Sequence, residues 1–481
     1  MTTIKLDPGA ALLLDALHGA GHAAYAVGGC VRDSLLGLDP HDWDLCTSAR
    51  PEQVMALFGE EKCIPTGLQH GTVTVKQGGR LYETTTFRTE GAYSDGRHPD
   101  AVCFVPDVRE DLARRDFTIN AMAYSAEEGL IDPFGGRDDL AAHLVRAVGE
   151  PERRFEEDAL RILRLYRFAA RFGFAIDPAT GAAARALGPH LDCVSAERIQ
   201  EELLKLLAAP RPGSYLEPAV LAVVLPELEP EKQPERFAEL CRTIDRIEPT
   251  AENVPARLAA LLWPLGEAGA RKALRKLKCS NALTDEVTAL VGGSVGSFLL
   301  GHEFELRHPA DALCLERHSH PAGRCPNSNS LFPPQAAVVA VAGHSIARPI
   351  ACGNRVPPQR TVLGETPGTP NTTLTVQAKR LLGRYELPTI QRLTALCSAR
   401  HPEQAEAFAA LRAEAERLTA ENACCRVSQL AVNGRDLMAA GVRPGPGLRQ
   451  VLNALLEAVI TGQTPNEKDA LLAAAAQFSA S

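Results

Sequence analysis

The first 145 residues are punctuated differently from everything after them, and that change of texture constrains the fold most. Ala24–Val27 runs straight into Gly28-Gly29, while Thr72–Val75 and Leu81–Phe87 alternate on either side of Gly78-Gly79. The first pattern predicts a strand ending in a tight turn and the second a hairpin. A short helix over 11–19 and further strands at Val102–Val105 and Ala121–Tyr124 make 1–145 an α+β unit. From Pro151 the apolar spacing is helical, over Arg153–Phe172, Ala196–Leu207, Ala256–Leu262 and Ala270–Leu277. Residues 304–372 match neither texture, because proline recurs too often for a helix. They read as an irregular insertion or linker, and a reading-frame disturbance in the gene would also produce such a stretch. Deletion of this segment with full activity retained is the expected result. Helical spacing resumes over 376–481, with a turn at Arg443–Gly447.

A net charge of −8 over 481 residues excludes nucleic-acid binding by bulk charge and leaves room for a local basic groove. Arginine far outnumbers lysine, and its planar fork suits phosphates and base edges. The thirteen cysteines are odd in number and show no paired CxxC spacing, so they read as reduced thiols. Asp7-Pro8 stands where a signal peptide needs an apolar run, and no apolar stretch reaches about 18 residues. A soluble, cytoplasmic protein with no membrane partner is expected.

Three constellations carry chemistry. In Val27-Gly28-Gly29-Cys30-Val31-Arg32-Asp33 the glycines permit close backbone approach to a phosphate, and Arg32 follows with its charge. Asp42 and Asp44 stand two apart, so on an extended segment both carboxylates share a face, as binding two hard cations requires. Alone, such a pair also suits a turn or a helix cap; the upstream Gly-Gly motif favours the metal reading. A third carboxylate is expected at such a site, and Glu83 is the candidate, with an exposed strand glutamate as the plain alternative. Arg114-Arg115-Asp116-Phe117-Thr118-Ile119-Asn120 offers groups to grip triphosphate and ribose, or else a loop ion pair. In Glu157-Asp158-Ala159-Leu160-Arg161, a continuous helix would make Asp158 and Arg161 neighbours, with Arg164 and Arg167 on an adjoining strip. An acceptor beside a donor fork can read the edge of a base, although solvated helix pairs look the same.

In this order and spacing the motifs resemble the class II tRNA nucleotidyltransferases of the poly(A) polymerase and CCA-adding family. Ser195-Ala-Glu-Arg-Ile199, Glu201–Leu204 and Leu430–Leu437 add to the resemblance, which covers 1–300 and 373–481. It implies an α+β, DNA polymerase beta-like head with a mixed sheet (1–145), then an all-α neck (146–208), body (209–303) and tail (373–481). Asp42 and Asp44 would then be Mg2+ ligands, with Glu83 a weaker third carboxylate. Gly28, Gly29, Arg32 and Arg115 would contact the nucleotide, and Asp116 its ribose side. Asp158 and Arg161 would act as a protein template for CTP or ATP, with Arg164 and Arg167 nearby.

The implied reaction is untemplated addition of CCA to tRNA by two-metal nucleotidyl transfer. Glu90–Pro99 corresponds to a loop that helps the switch from C to A. The basic stretch Arg271–Lys278 and the tail around Gly434–Gly447 would meet tRNA. Competing readings are a poly(A) polymerase, an enzyme adding only CC or A, a small-molecule nucleotidyltransferase, and a non-catalytic RNA-binding protein. Residues 373–481 lack the strongly basic extension of the first, and the helical body argues against a small-molecule enzyme. No His-Asp dipeptide lies outside His41-Asp42, and Cys314, His318, His320 and Cys325 do not have finger spacing.

Overall fold

The computed structural model describes residues 3–91, 102–293 and 373–478. Segment 304–372, its Cys/His group and most of Glu90–Pro99 lie outside the described residues. These form two units, one holding 3–293 with 377–423 and the other 373–376 with 424–478.

The chain opens with α1 (Pro8–Gly19), three residues ahead of the expected start. Asp7 caps it by accepting from the Gly9 and Ala10 amides, and Pro8 is pre-set for the first turn. Strand β1 (Ala24–Val27) feeds α2 (Gly29–Leu35), followed by β2 (Leu45–Thr47), α3 (Pro51–Phe58) and β3 (Cys63–Gly67). The hairpin β4 (Thr72–Gln77) and β5 (Arg80–Thr86) turns on Gly78 and Gly79, with φ of 57° and 81°. Two consecutive positive φ values match the right-handed twist of the strands, which is why glycine fills both positions.

Next come β6 (Arg88–Glu90), β7 (Val102–Phe104), α4 (Val108–Ala113), β8 (Ala123–Ser125), β9 (Gly129–Ile131) and α5 (Gly136–Ala141). Seven strands form one mixed sheet in the order β3-β4-β5-β2-β1-β8-β9. Within it β2 and β5 run parallel, while β1 is antiparallel to β2 and β8. The strand at Val102 pairs only with β6, outside this sheet. The one expected at Ala121 starts at Ala123, because Thr118–Asn120 forms a helical turn first. Tyr25, Val27, Cys46, Phe87, Leu112 and Ala123 pack one side of the sheet.

After β10 (Leu144–Val145) the chain is helical: α6 (Pro151–Glu157), α7 (Leu160–Phe172), the two-residue β11 (Ala175–Ile176), α8 (Pro178–Ala186) and α9 (Ala196–Leu207). Helices α10 (Pro218–Val224), α11 (Pro234–Arg246), α12 (Val254–Leu262), α13 (Gly266–Lys276) and α14 (Asn281–Gly292) follow. Helix Leu387–Arg400 packs on α12, and Ala405–Ala420 packs on Leu387–Arg400. On α12, Arg257 is fully buried and donates to the carbonyls of Leu207, Ala209, Pro210 and Ile247 at 2.5–3.5 Å. The second unit has its own core of Leu430, Leu437, Val451, Leu455 and Leu471, from helices Gly434–Ala439, Pro446–Ile460 and Lys468–Phe478. No helix among the described residues is long and apolar enough to cross a membrane.

Candidate active site

The end of β1 and the segment before β2 meet where the Val27 amide donates to the Asp44 carbonyl at 3.0 Å. Asp42 and Asp44 therefore lie beside the Gly28-Gly29 turn. Trp43 between them is 5% exposed while both aspartates are exposed, so the alternation places the two carboxylates on one open face. The parallel register Leu45↔Thr84 brings Glu83 level with Asp44, and Glu83 is exposed between buried Tyr82 and Thr84. Asp44 opens to solvent on one side and is surrounded by protein on the others. That burial, with the charges of Glu83 and Asp42 and against the pull of Arg115, pushes its carboxyl up to about 6. Hard oxygen donors in mutual repulsion are a donor set suited to a divalent cation. Among the described residues no three such side chains already converge as a clamp.

Gly28 has φ 77° and ψ −122°, and a Cβ there would lie 2.7 Å from Arg115 Nη1. Backbone and neighbour both demand glycine. Arg115 faces Asp111 Oδ2 at 3.5 Å and acts electrostatically on Asp44, so it links the carboxylates to the rest of the site. A Gly28→Ala protein is expected to lose about tenfold in kcat/KM, since the strained backbone costs roughly 1–3 kcal/mol and Arg115 must move. Steady-state incorporation checks this; an unchanged kcat/KM would count against the turn's role.

A chain of hydrogen bonds, buried in its middle, joins this turn to α7. Arg164 forks onto Asp116 Oδ2 through Nε and Nη2 at 2.9 and 2.6 Å, and Asn120 Nδ2 donates to Asp116 Oδ1 at 3.0 Å. Asn120 Oδ1 accepts from Arg32, Arg32 Nε donates to Asp33 at 2.8 Å, and Asp33 accepts from Arg171 at 3.3 Å. The chain thus leaves α7 at Arg164 and returns to it at Arg171, clasping α2 against it. Burial alone would raise the Asp116 pKa, but Arg164, Asn120 and Arg161 overcome that and hold its carboxyl well below the usual carboxylate range. Asp116 spends both oxygens inside the protein. Arg32 is 4% exposed and lies 5.3 and 4.9 Å from the ring centroids of Phe168 and Phe172, so it braces the turn from behind.

The continuous helix expected over Arg153–Phe172 is broken at Asp158, where φ −149° and ψ 102° are extended. Asp158 Oδ1 accepts from the Leu160 amide at 3.1 Å and starts α7 afresh, because a short carboxylate competes well for unsatisfied amides. Asp158 and Arg161 are consequently not a side-chain pair on one helix. Asp158 Oδ2 accepts from Arg198 Nη2 at 2.8 Å, while Arg161 donates to Glu157 Oε2 and to the carbonyls of Arg154 and Arg114. Both still line one cleft of about 350 Å³ with Arg114, Arg115, Asp116, Arg164 and Arg198. A second cavity of about 430 Å³, lined by Glu157, shares Arg114 with it. Arg167 does not line this cleft; its Nε donates to buried Glu202 at 2.5 Å and its guanidinium sits 4.0 Å from the Phe168 ring centroid.

Sequence reasoning gave no role to Arg198, Glu202 or Asp111. Arg198 and Glu202 sit one helical turn apart in Ser195–Leu204, the stretch noted for its resemblance, so a signal was present without a partner to interpret it.

A mixed sheet that sets paired aspartates beside a Gly-Gly turn, followed by helices, defines a nucleotidyltransferase of the DNA polymerase beta-like class. Residues 24–146 match the poly A polymerase head domain family. Residues 173–231 match the "probable RNA and SrmB-binding site of polymerase A", and 384–475 match tRNA nucleotidyltransferase domain 2. The CCA-adding enzyme of Lactiplantibacillus plantarum is 33% identical over 463 residues, covering 96% of this chain and 93% of that relative. That of Lactobacillus helveticus is 42% identical over 281 residues, 58% of this chain and 69% of the relative. The solved CCA-adding enzyme of Bacillus stearothermophilus in complex with CTP superposes with a TM-score of 0.70 at 29% identity, covering 98% of each chain. The chain belongs to the CCA-adding enzymes, within the class II tRNA nucleotidyltransferase and poly(A) polymerase family.

Proposed function

We infer that this chain completes tRNA 3′ ends with CCA from CTP and ATP, and that Asp42, Asp44 and Glu83 form its catalytic floor. The observation that carries this is the alignment of the three carboxylates on one open face beside the Gly28 turn. The tRNA 3′-oxygen attacks the α-phosphorus, the bond from that phosphorus to the β-phosphate oxygen breaks, and pyrophosphate leaves. Mg2+ held by Asp42 and Asp44 would supply the positive charge that favours the nucleophilic 3′-oxygen and neutralises the leaving group. Gly28 and Gly29 let the triphosphate approach the backbone, with Arg115 beside it and Arg32 holding the turn in place.

Asp158 and Arg161 select the base. Three of Arg161's five donors are engaged, so its Nε–H and one Nη2–H remain for a nucleobase. Asp158 keeps a lone pair on each oxygen as acceptor. Cytosine and adenine both carry an exocyclic amino group, which such an acceptor recognises. On α13, Lys272 and Lys276 are exposed one helical turn apart and suit contact with the tRNA backbone.

Three tRNAs test the reading: one ending at the discriminator base, one with a further C, and one with CC, each given CTP or ATP separately. C, C and A are expected in turn; long A tracts on unstructured RNA would identify a poly(A) polymerase instead.

Protons compete with the cation for Asp44. At limiting Mg2+, incorporation is expected to fall as pH drops through about 6, and raising Mg2+ should move the midpoint lower. A midpoint indifferent to Mg2+ counts against Asp44 as ligand. Stability has the opposite sign. The Asp44 pKa is raised from 3.8, so this group's contribution to metal-free stability is full below that value and is lost as pH rises through about 6. Protonating Asp44 therefore stabilises the metal-free protein, and the loss of activity below about pH 6 is not an unfolding event of this group.

A further inference from the structure

We propose that Arg198 is a specificity-positioning residue: it holds the Asp158 carboxylate in the orientation that separates amino-bearing bases from carbonyl-bearing ones. This rests on the base-selecting reading of Asp158 above.

Asp158 lies at the break between α6 and α7, where its backbone is extended, and that backbone alone does not direct its carboxylate into the cleft. Two contacts do so. The Leu160 amide takes Oδ1, and Arg198 Nη2 takes Oδ2 at 2.8 Å. The amide belongs to the turn that moves with Asp158, so Arg198 supplies the fixed external reference.

Arg198 is itself well placed to be rigid. It occupies the first turn of α9, whose next turn carries Glu202, and buried Glu202 accepts from Arg167 at 2.5 Å and faces Arg164 at 3.8 Å. One face of α9 thus holds Asp158 of the cleft through Arg198, and Arg167 with cleft-lining Arg164 through Glu202. Arg198 also lines the cleft, and its side chain is only 20% exposed.

The consequence is chemical. A carboxylate oxygen facing cytosine N4 or adenine N6 meets a donor, whereas uracil O4 or guanine O6 presents an acceptor and is repelled. Discrimination of this kind depends on where the acceptor points. A carboxylate free to rotate still offers an acceptor to the cleft and loses part of its preference.

The test measures kcat/KM for CTP and UTP on tRNA ending at the discriminator base, and for ATP and GTP on tRNA ending in CC. The proteins compared are the full-length chain and its Arg198→Leu, Arg198→Lys and Asp158→Asn variants. Arg198→Leu is expected to lower the CTP/UTP and ATP/GTP ratios by about tenfold. Arg198→Lys, which keeps the charge and loses the fork, should give an intermediate ratio. A purely structural role would reduce all four nucleotides alike; unchanged ratios in both Arg198 variants overturn the proposal. Asp158→Asn separates the two levels of inference. If it leaves the ratios intact, the base-selecting role of Asp158 fails; if it lowers them while both Arg198 variants do not, only the positioning role fails. Arg198→Lys, which preserves the charge opposite Asp158, keeps the test decisive should Arg198→Leu not fold.

Discussion

An Asp42→Ala protein is expected to incorporate CMP at least about a thousandfold more slowly than the unaltered chain while binding tRNA within about twofold. Asp42 is exposed, and among the described residues its side chain makes no hydrogen bond or ion pair, so its loss removes no folding contact. What it removes is one of two carboxylates on a common face, and a cation held by fewer oxygens binds more weakly and is less well placed. The measurement is single-turnover incorporation on tRNA lacking CCA, paired with a filter-binding isotherm. Activity within tenfold of normal would sink the metal assignment. Weakened tRNA binding would place Asp42 in RNA contact instead.

The second large effect is on stability. Arg257→Met is expected to cost about 3–5 kcal/mol and to lower the melting temperature of the unit containing it by about 10 °C. Arg257 donates to the Leu207, Ala209, Pro210 and Ile247 carbonyls; Leu207 is the last residue of α9, where helix carbonyls lack partners, and Ala209 lies just past its cap. Methionine fills much of the space and satisfies none of these acceptors. Burial lowers the Arg257 pKa while Asp245 opposes this, so the buried guanidinium is stabilised mainly by carbonyl dipoles. Calorimetry would resolve the loss; a shift below about 2 °C would mean that water replaces the lost donors.

Much of the head was legible from local pattern. Strand Ala24–Val27 was legible as a short apolar run ending at Gly28-Gly29, and the Gly78-Gly79 hairpin from alternation and from backbone angles that glycine alone adopts easily. The shared face of Asp42 and Asp44 follows from their spacing around Trp43. Helix α9 has the expected bounds because its apolar periodicity is strong. The break at Asp158 was misread, although an aspartate two residues before the renewed helix was visible. Apolar periodicity continued through it and outweighed the capping signal.

Sequence by itself determined which residues could do chemistry and roughly which element each would occupy, because glycine turns, alternation and helical period are local. Only the tertiary structure decided who holds whom. Asp33 meets Arg171 across 138 positions, Arg32 meets Asn120 across 88, and Asp158 meets Arg198 across 40. A guanidinium has no local preference among carboxylates that far apart. Burial makes that choice by leaving each charge only the partner that folding brings within reach. The proposed base-selecting motif was therefore readable, while the clasp and the Arg198–Asp158 contact emerge only when the helices pack.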